Sequence, residues 1–331
     1  MELPAPLRAA VDRMLEGVPL ADLRRAAARL STRYRAETRD GRMHLDEELA
    51  VKAYLAARLP ATYAAVRSGM AMVEEAAPSL APHSLLDVGA GPGTALWAAQ
   101  DAWPSIRTAR MLEASGPART VGTTLSALLA GIDAAWIDGD AARDLDAEPA
   151  ADLVTLAYVL DELPPDAIAP LIGRLWALTR QVLVVVEPGT PAGWRRTLAV
   201  RRLLVEAGAH IAAPCPHEAP CPLSEPDWCH FARRVARSRL HRLAKEADVP
   251  WEDEKYILVA AARMSVPVWG SRVLAPPGAG KAWLDLKLCR PEGDCAHVRI
   301  GKRDREAYRT ARRLDWGDVF DVPPEQVPIS S

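Results

Sequence analysis

The chain has 331 residues, of which 49% are hydrophobic and 25% charged, so it can hold two domains or one domain with additions. Its formal net charge of −2 argues against a nucleic-acid-binding protein that is basic over its whole surface. The sequence has no apolar run of membrane-spanning length and no signal-peptide core at its start. We therefore expect a cytoplasmic protein without a membrane partner, and we expect it to act as a monomer.

Residues 1–80 are predicted to form an N-terminal helical domain. Apolar residues recur three and four positions apart in LRAAVDRMLEGV (7–18) and LADLRRAAARLSTRYRAE (20–37), which is the period of an amphipathic helix. Pro60 is expected to end or kink one helix, and Pro78 closes the helical region before the next unit.

Residues 81–265 change to short apolar strands that alternate with helices. This pattern is typical of an α/β domain built on a doubly wound parallel sheet. The predicted strands cover residues 84–88, 108–113, 133–137, 152–157, 181–187 and 255–262.

The first predicted strand runs into a glycine-rich turn and a helix in LLDVGAGPGTALWAA (85–99). Gly89, Gly91 and Gly93 let the backbone approach a ligand closely, and the following helix points its N-terminus at that ligand. Because nicotinamide and flavin enzymes carry similar turns, the glycines alone predict only a nucleotide-type cofactor.

Four acidic residues narrow the predicted cofactor to S-adenosylmethionine. Asp87 lies just before the turn, where a carboxylate can meet the cationic methionyl end, and Glu113 ends the second strand, where it can accept the ribose hydroxyls. Asp138 and Asp140 follow the third strand and are placed to contact the adenine region. This order of acids is typical of class I methyltransferases, so we expect a Rossmann-like methyltransferase domain over residues 81–265.

The segment after the fourth strand, AYVLDELPPD (157–166), differs from the Asn/Asp-Pro-Pro-aromatic loop of amino-group methylases. Asp161 and Glu187 are the candidate catalytic residues, because both are expected at the mouth of the cofactor pocket, where a carboxylate can act as a general base. Asp161 and Glu162 can equally stabilise a helix dipole. Whether the chain is an enzyme that transfers a methyl group therefore stays open.

A cysteine-rich insertion is predicted at 205–250. Cys215, Cys221 and Cys229 lie in the Pro-rich run PCPHEAPCPLSEPDWCHF, and Cys289 follows further along the chain. Four thiolates that converge on one point are the ligand set of a tetrahedral zinc ion or of a [4Fe–4S] cluster. Because zinc sites favour shorter C-x2-4-C pairs, the C-x5-C-x7-C spacing favours the cluster, with zinc as the alternative.

Two further interpretations of this insertion stay open. His217 and His230 adjoin the ligand candidates, so either could replace a cysteine as a ligand. The four cysteines could also be free core residues, because Cys behaves as a small hydrophobic side chain. Cys295 lies outside the spacing and receives no role.

Residues 266–331 are predicted to form a small β appendage with a basic C-terminal segment. Short β segments are expected in SRVLAPP, KAWLDLKLC and CAHVRIGK, with turns at PPGAGK and PEGD. Since Cys289 ends one of these segments, the appendage must fold back onto the insertion if the four cysteines are to meet. Residues 231–247 are expected to form a basic helix, and residues 323–331 to be disordered.

Positive charge is concentrated in two regions of the second half. Residues 191–245 carry ten Arg and Lys against four Asp and Glu, and residues 263–313 carry twelve against five. Guanidinium groups suit phosphate contacts and base stacking, so both regions are compatible with a structured RNA partner. A solvated charged surface explains them almost as well.

Several stretches together resemble the small-ribosomal-subunit-associated methyltransferase-like family, which includes a mitoribosomal small-subunit assembly factor. They are YLAARLPATYAAV (54–66), LLDVGAGPGTALWAA (85–99), VLDEL (159–163), VVVEPGTPAGW (184–194), APCPHEAPCPL (213–223), DWCHFARRVAR (227–237), DEKYILVAAAR (253–263) and KRDREAYRTARRLDWGD (302–318). The resemblance implies a role in ribosome assembly, with the small subunit and its 16S-type ribosomal RNA as partners. It also implies a [4Fe–4S] cluster on Cys215, Cys221, Cys229 and Cys289.

Three functions follow as alternatives. The first is an S-adenosylmethionine-dependent methyltransferase that acts on small-subunit ribosomal RNA, favoured by the intact glycine turn. The second is a non-catalytic ribosome assembly factor, favoured by the absent amino-methylase loop and the basic regions. The third is a small-molecule methyltransferase with a structural zinc site, which the near-neutral net charge permits.

Overall fold

The computed structural model describes residues 1–36, 43–267 and 270–321, so the tail at 323–331 lies outside the described part of the chain. Helices occupy the N-terminal region, as its apolar period predicts. They are α1–α4, at Ala5–Leu15, Leu20–Ala36, Glu48–Ala57 and Leu59–Ala76. Pro60 lies in the first turn of α4, where its missing N–H has no helical partner to lose, so one helix ends and the next begins there.

α4 is the most enclosed of the N-terminal helices. Val66, Met70 and Val73 are 0% exposed, because apolar residues surround this helix instead of forming one stripe. It packs against α5 (Thr94–Ala102) and against the central sheet. Despite this apolar character, no helix among the described residues is long and apolar enough to cross a membrane.

The central sheet has the topology of a class I methyltransferase, as predicted. Its strands β1–β8 cover Ser84–Val88, Thr108–Glu113, Asp133–Asp138, Ala151–Ala157, Thr179–Pro188, His210–Ala213, Phe231–Ala236 and Trp251–Ala262. They pair in the order β3-β2-β1-β4-β5-β8-β6, with β7 also paired to β8. The first five strands are mutually parallel, and β8 runs antiparallel to β5.

Helices cover both faces of this sheet. Besides α5 they are α6–α8, at Gly116–Ser126, Pro165–Leu178 and Pro191–Glu206. One core joins α1–α5 to the sheet, and a second core packs α7 and α8 on the opposite face through Leu171, Leu175 and Leu204. Because the N-terminal helices share the first core, α2 and α3 lie beside the glycine turn at the carboxyl end of β1.

The helix predicted over 231–247 is wrong in its first half. Phe231–Ala236 forms β7, and only Arg239–Lys245 is helical (α9). Phe231 and Val235 are both buried, and a spacing of four residues places side chains on one face of a helix and of a strand alike. Pairing with β8 decides for the strand, because β8 supplies the backbone hydrogen bonds of β7 from a distant part of the chain.

The predicted β appendage forms a second, antiparallel sheet. Its strands β9–β13 are Ser271–Val273, Gly278–Ala279, Trp283–Cys289, Cys295–Gly301 and Val319–Phe320, and α10 (Arg305–Ala311) packs against them. Val273, Leu286 and Ile300 belong to a separate small core. The appendage therefore has a hydrophobic interior of its own.

Candidate functional site

The glycine turn adopts a conformation that only glycine tolerates at its first position. Gly89 has φ +68°, and a Cβ there would lie 2.5 Å from Cγ2 of Val159. Its N–H donates to the carbonyl of Leu112 at 2.9 Å, which ties the turn to β2. The turn thus presents its backbone to a cavity of about 200 Å³ at the carboxyl ends of β1, β2 and β4.

Asp87 contributes a buried carboxylate to this cavity. It is 1% exposed, and its Oδ1 accepts the Thr155 hydroxyl hydrogen bond at 2.7 Å. Its Oδ2 has no hydrogen-bond partner among the described residues. Burial, reinforced by the charge of Glu113, raises the pKa of Asp87 to about 7. A cationic ligand would provide the partner that this oxygen lacks.

Glu113 also lines the cavity, and backbone donors fix its orientation. Its Oε2 accepts from the Gly91 N–H at 2.7 Å, and its Oε1 accepts from the Ser115 N–H at 2.7 Å. Burial raises the pKa of this carboxyl. Each carboxylate oxygen can accept a second hydrogen bond, so the arrangement can receive a pair of ligand hydroxyls.

The remaining predicted cofactor residues divide between the cavity and its surroundings. Asp140 lines the cavity, and its Oδ1 accepts from the Ala142 N–H at 2.8 Å. Asp138 is not among the described residues that line the cavity; its carboxylate pairs with Arg119 at 2.7 Å. Gly93 likewise lies behind the cavity, where it caps the N-terminus of α5.

The two predicted catalytic carboxyls occupy different environments. Asp161 is buried and lines the cavity. Glu187 is 0% exposed and is not among the described lining residues; it accepts from the Leu160 N–H at 3.2 Å and from Arg196 Nε at 2.8 Å. Burial and the charge of Asp161 raise the pKa of Glu187 to about 8. Glu187 therefore holds the segment after β4 in place from behind.

Aromatic and charged side chains that no sequence pattern predicts form part of the cavity lining. The Tyr34 and His44 rings stack with centroids 4.8 Å apart. Glu254 accepts from the Tyr158 hydroxyl at 3.0 Å and from Arg58 Nη2 at 3.1 Å. Tyr34, His44, Arg58 and Tyr158 all line the cavity, so Tyr34 of α2 and Arg58 between α3 and α4 bring the N-terminal region to one of its walls. These contacts join segments that are distant in the sequence, so no local sequence pattern predicts them.

The buried carboxyls should make the ligand-free protein less stable at higher pH. The raised pKa of Asp87 adds stability that is present below about pH 4 and is lost as the pH rises through about 7. This shift amounts to up to about 4 kcal/mol. We expect urea unfolding of the wild-type chain to show this loss between pH 4 and pH 8, and Asp87→Asn to show a shallower dependence. Equal slopes in the two proteins would contradict the assignment.

The four predicted metal-ligating cysteines meet at one cavity of about 30 Å³. Cys215 follows β6, Cys221 and Cys229 precede β7, and Cys289 ends β11. The appendage therefore folds back onto the insertion, as the cysteine pattern requires. Burial raises the pKa of Cys229 and Cys289, and the neighbouring thiols of the group raise both further.

The cysteine cavity is lined by thiol groups that could bind a metal, but their arrangement is not that of a formed metal site. Among the described residues, no three His, Cys, Asp or Glu side chains are arranged to hold a metal ion as they stand. All four cysteines are free thiols, and His217 Nε2 lies 3.3 Å from Cys289 Sγ. His230 instead stacks on Trp228 with centroids 5.2 Å apart. In its donor chemistry, a site of four thiols fits a thiophilic metal or cluster.

Two buried arginines hold the cysteine loop and were not recognised as structural from sequence. Arg201 donates to the His217 carbonyl at 2.7 Å, and Arg272 donates through Nε to the Pro214 carbonyl at 3.1 Å. Both line the cysteine cavity. Arg201 belongs to the basic region 191–245, so part of that positive charge serves the fold and does not face a partner.

The profile of the family described as "Mitochondrial small ribosomal subunit Rsm22" matches residues 48–321, a range that includes both cavities. The chain belongs to this family. Two curated proteins are similar in sequence to this chain over different lengths. The human mitochondrial ribosome assembly protein METTL17 is 30% identical over 300 residues, covering 84% of this chain and 64% of that protein. A mitochondrial Rsm22-cox11 tandem protein of Schizosaccharomyces pombe is 22% identical over 195 residues, covering 45% and 26%.

The chain thus spans less than two thirds of the curated Rsm22-family relatives that it matches. Among solved structures, it is similar to magnesium protoporphyrin IX methyltransferase from Synechocystis with bound S-adenosylmethionine (TM-score 0.42, 16% identity, 71% of this chain and 91% of that one). It is also similar to an O-methyltransferase family protein from Burkholderia thailandensis (TM-score 0.43, 15% identity, 75% and 72%).

Proposed function

We propose that this Rsm22-family protein binds S-adenosylmethionine and acts in assembly of the small ribosomal subunit, in contact with its 16S-type ribosomal RNA. The S-adenosylmethionine site is supported above all by two carboxyls beneath the glycine turn, the buried Asp87 and the half-buried Glu113. The assembly function is supported by membership of the Rsm22 family and by the similarity to human METTL17, which is named as a ribosome assembly protein.

The proposal includes a [4Fe–4S] cluster on Cys215, Cys221, Cys229 and Cys289, with zinc as the alternative. Support comes from the four thiols that line one cavity and from their spacing along the chain. A cluster bound there would supply iron–thiolate bonds that join the insertion to the appendage. The chain's own contribution is to position the ligands, through the hydrogen bonds that Arg201 and Arg272 donate to the cysteine loop.

Methyl transfer to the ribosomal RNA is the second candidate function. It is favoured by Asp161, a buried carboxyl that lines the cavity and could accept a proton from an attacking group. The assembly function without methyl transfer is favoured by the segment after β4, AYVLDELPPD (157–166), which differs from the Asn/Asp-Pro-Pro-aromatic loop of amino-group methylases.

A deletion strain separates these two functions. We expect sucrose-gradient sedimentation to show incomplete small subunits, and mass spectrometry of the ribosomal RNA nucleosides to show normal methylation. A methyl group that is missing in the deletion strain, returns with the wild-type chain and does not return with Asp161→Asn would establish methyl transfer. Normal subunits in the deletion strain would contradict the assembly function.

The cofactor is tested by calorimetric titration of the purified chain with S-adenosylmethionine. We expect Asp87→Asn to weaken binding by roughly 30- to 100-fold, because it removes a charge-assisted interaction worth about 2–3 kcal/mol. Wild-type affinity should rise as the pH increases toward about 7, where Asp87 ionises, and then level off. Asp138→Asn is the matched control, because Asp138 does not line the cavity among the described residues. No heat of binding to the wild-type chain would refute the cofactor.

A further inference from the structure

Cys295 has no role in the predicted four-cysteine site. The structure places it beside Cys289, one of the four. β11 and β12 form an antiparallel hairpin in which Cys295 lies directly opposite Cys289. Cross-strand partners point to the same face of a sheet, so both side chains leave the hairpin on the side of the cysteine cavity. Cys289 is buried and lines that cavity, whereas Cys295 is half-buried and is not among the described residues that line it.

The hydrogen bonds of the hairpin define how close the two cysteines lie. The turn is closed by the Arg290 N–H, which donates to the Asp294 carbonyl at 3.0 Å. Since hydrogen-bonded and non-hydrogen-bonded pairs alternate along an antiparallel ladder, the next pair, Cys289 and Cys295, is a non-hydrogen-bonded one. Such pairs have Cα atoms about 4.5 Å apart, within the range of about 4.4–6.8 Å that a disulfide spans.

The two thiols are thus preorganised for a bond that would remove one member of the four-cysteine group. A short hairpin fixes both backbones, so little chain entropy opposes closure. Cys289 in a disulfide has no thiolate to offer, which leaves three cysteines of the group at the cavity. Formation of this bond and loading of the cavity through all four cysteines are therefore mutually exclusive.

We propose that Cys289 and Cys295 form a reversible disulfide when the cysteine cavity is empty, and that this bond blocks metal or cluster loading under oxidising conditions. The oxidant belongs to the peroxide class. The Cys295 thiolate sulfur attacks one peroxide oxygen, the O–O bond breaks, and the displaced hydroxide takes a proton to leave as water. The Cys289 sulfur then attacks the resulting sulfenic acid, forming the S–S bond and releasing a second water. Two thiols are oxidised by two electrons and hydrogen peroxide is reduced to two waters.

The effect of the disulfide on loading rests on the proposed cluster, whereas the disulfide itself does not. Two measurements therefore test the disulfide and the cluster separately. Metal-free wild-type chain is treated with one equivalent of hydrogen peroxide, digested and analysed by mass spectrometry. We expect the peptides of Cys289 and Cys295 to be joined, with the loss of two hydrogen atoms, and to separate after dithiothreitol. Unlinked peptides, or Cys289 joined to Cys215, Cys221 or Cys229, would overturn the proposal.

The second measurement follows iron uptake after the same treatment. Oxidised wild-type chain should lose reconstitution with iron and sulfide, and dithiothreitol should restore it. Cys295→Ser, which keeps the four-cysteine group intact, should load iron before and after peroxide. Equal loss of loading in Cys295→Ser and the wild-type chain would overturn the switch. A reduced wild-type chain that forms the disulfide but never loads iron would refute the proposed cluster and leave the disulfide standing.

Discussion

The Cys229→Ser variant is expected to lose its iron and a large share of its folding stability. The wild-type chain, prepared without oxygen, should contain about four iron and four sulfide ions per chain and absorb visible light at about 400 nm. A cluster bound as proposed would cross-link Cys229 to Cys289, and a cross-link that closes a loop of that length stabilises a fold by about 4 kcal/mol in the chain-entropy model. We expect anaerobic urea unfolding to show a loss of this size, together with loss of the visible absorption.

Cys295→Ser is the matched control for this experiment, because it removes a thiol from the hairpin that carries Cys289 but lies outside the group of four. Under reducing conditions it should keep its iron and unfold like the wild-type chain. A colourless wild-type chain with one zinc ion would assign the cavity to zinc. If Cys229→Ser kept full iron content, Cys229 would not be a ligand.

The sequence predicted those parts of the fold whose signal is local. Gly89 and the carboxyls Asp87 and Glu113 stand within one strand–turn–helix unit and at the end of the next strand, and the structure gathers them at one cavity. The four cysteines were a pattern of residue type and spacing, so their meeting could also be anticipated. Both predictions could be made from the order of elements and the spacing of residue types along the chain.

The parts that the sequence did not predict depend on pairing between distant segments. The sequence predicts a helix over β7 because Phe231 and Val235 satisfy both the helical and the strand period, and only the pairing with β8 decides for the strand. Glu187 lies near the carboxyl end of β5, where the sequence predicts it. Its carboxylate accepts hydrogen bonds from Arg196 and from the Leu160 N–H and does not line the cavity among the described residues. The orientation of a buried charge follows from its partners, and these lie on other elements.

Arg272 shows most clearly how much of the cysteine site depends on such distant partners. It lies on β9 and is 1% exposed. Its Nη1 donates to the Gly317 carbonyl at 2.7 Å and to Glu75 Oε2 at 3.0 Å, while its Nε donates to the Pro214 carbonyl at 3.1 Å. One side chain thus connects the appendage, the end of α4 and the residue that precedes Cys215.

Replacing Arg272 by methionine is expected to lower the free energy of unfolding by about 3–5 kcal/mol, because it keeps an unbranched apolar stem but leaves buried acceptors without their donor. Arg299→Met is the matched control on the same sheet. Arg299 pairs with Asp285 at 2.7 Å but is more than half exposed, so its loss should cost less than about 1 kcal/mol. Urea unfolding of the two variants measures the difference. The Arg272 variant should also retain iron less well during dialysis against a chelator, since the carbonyl it releases adjoins a predicted ligand. Equal stability of the two variants would mean that the appendage is held on the cysteine loop by its apolar contacts and not by this guanidinium.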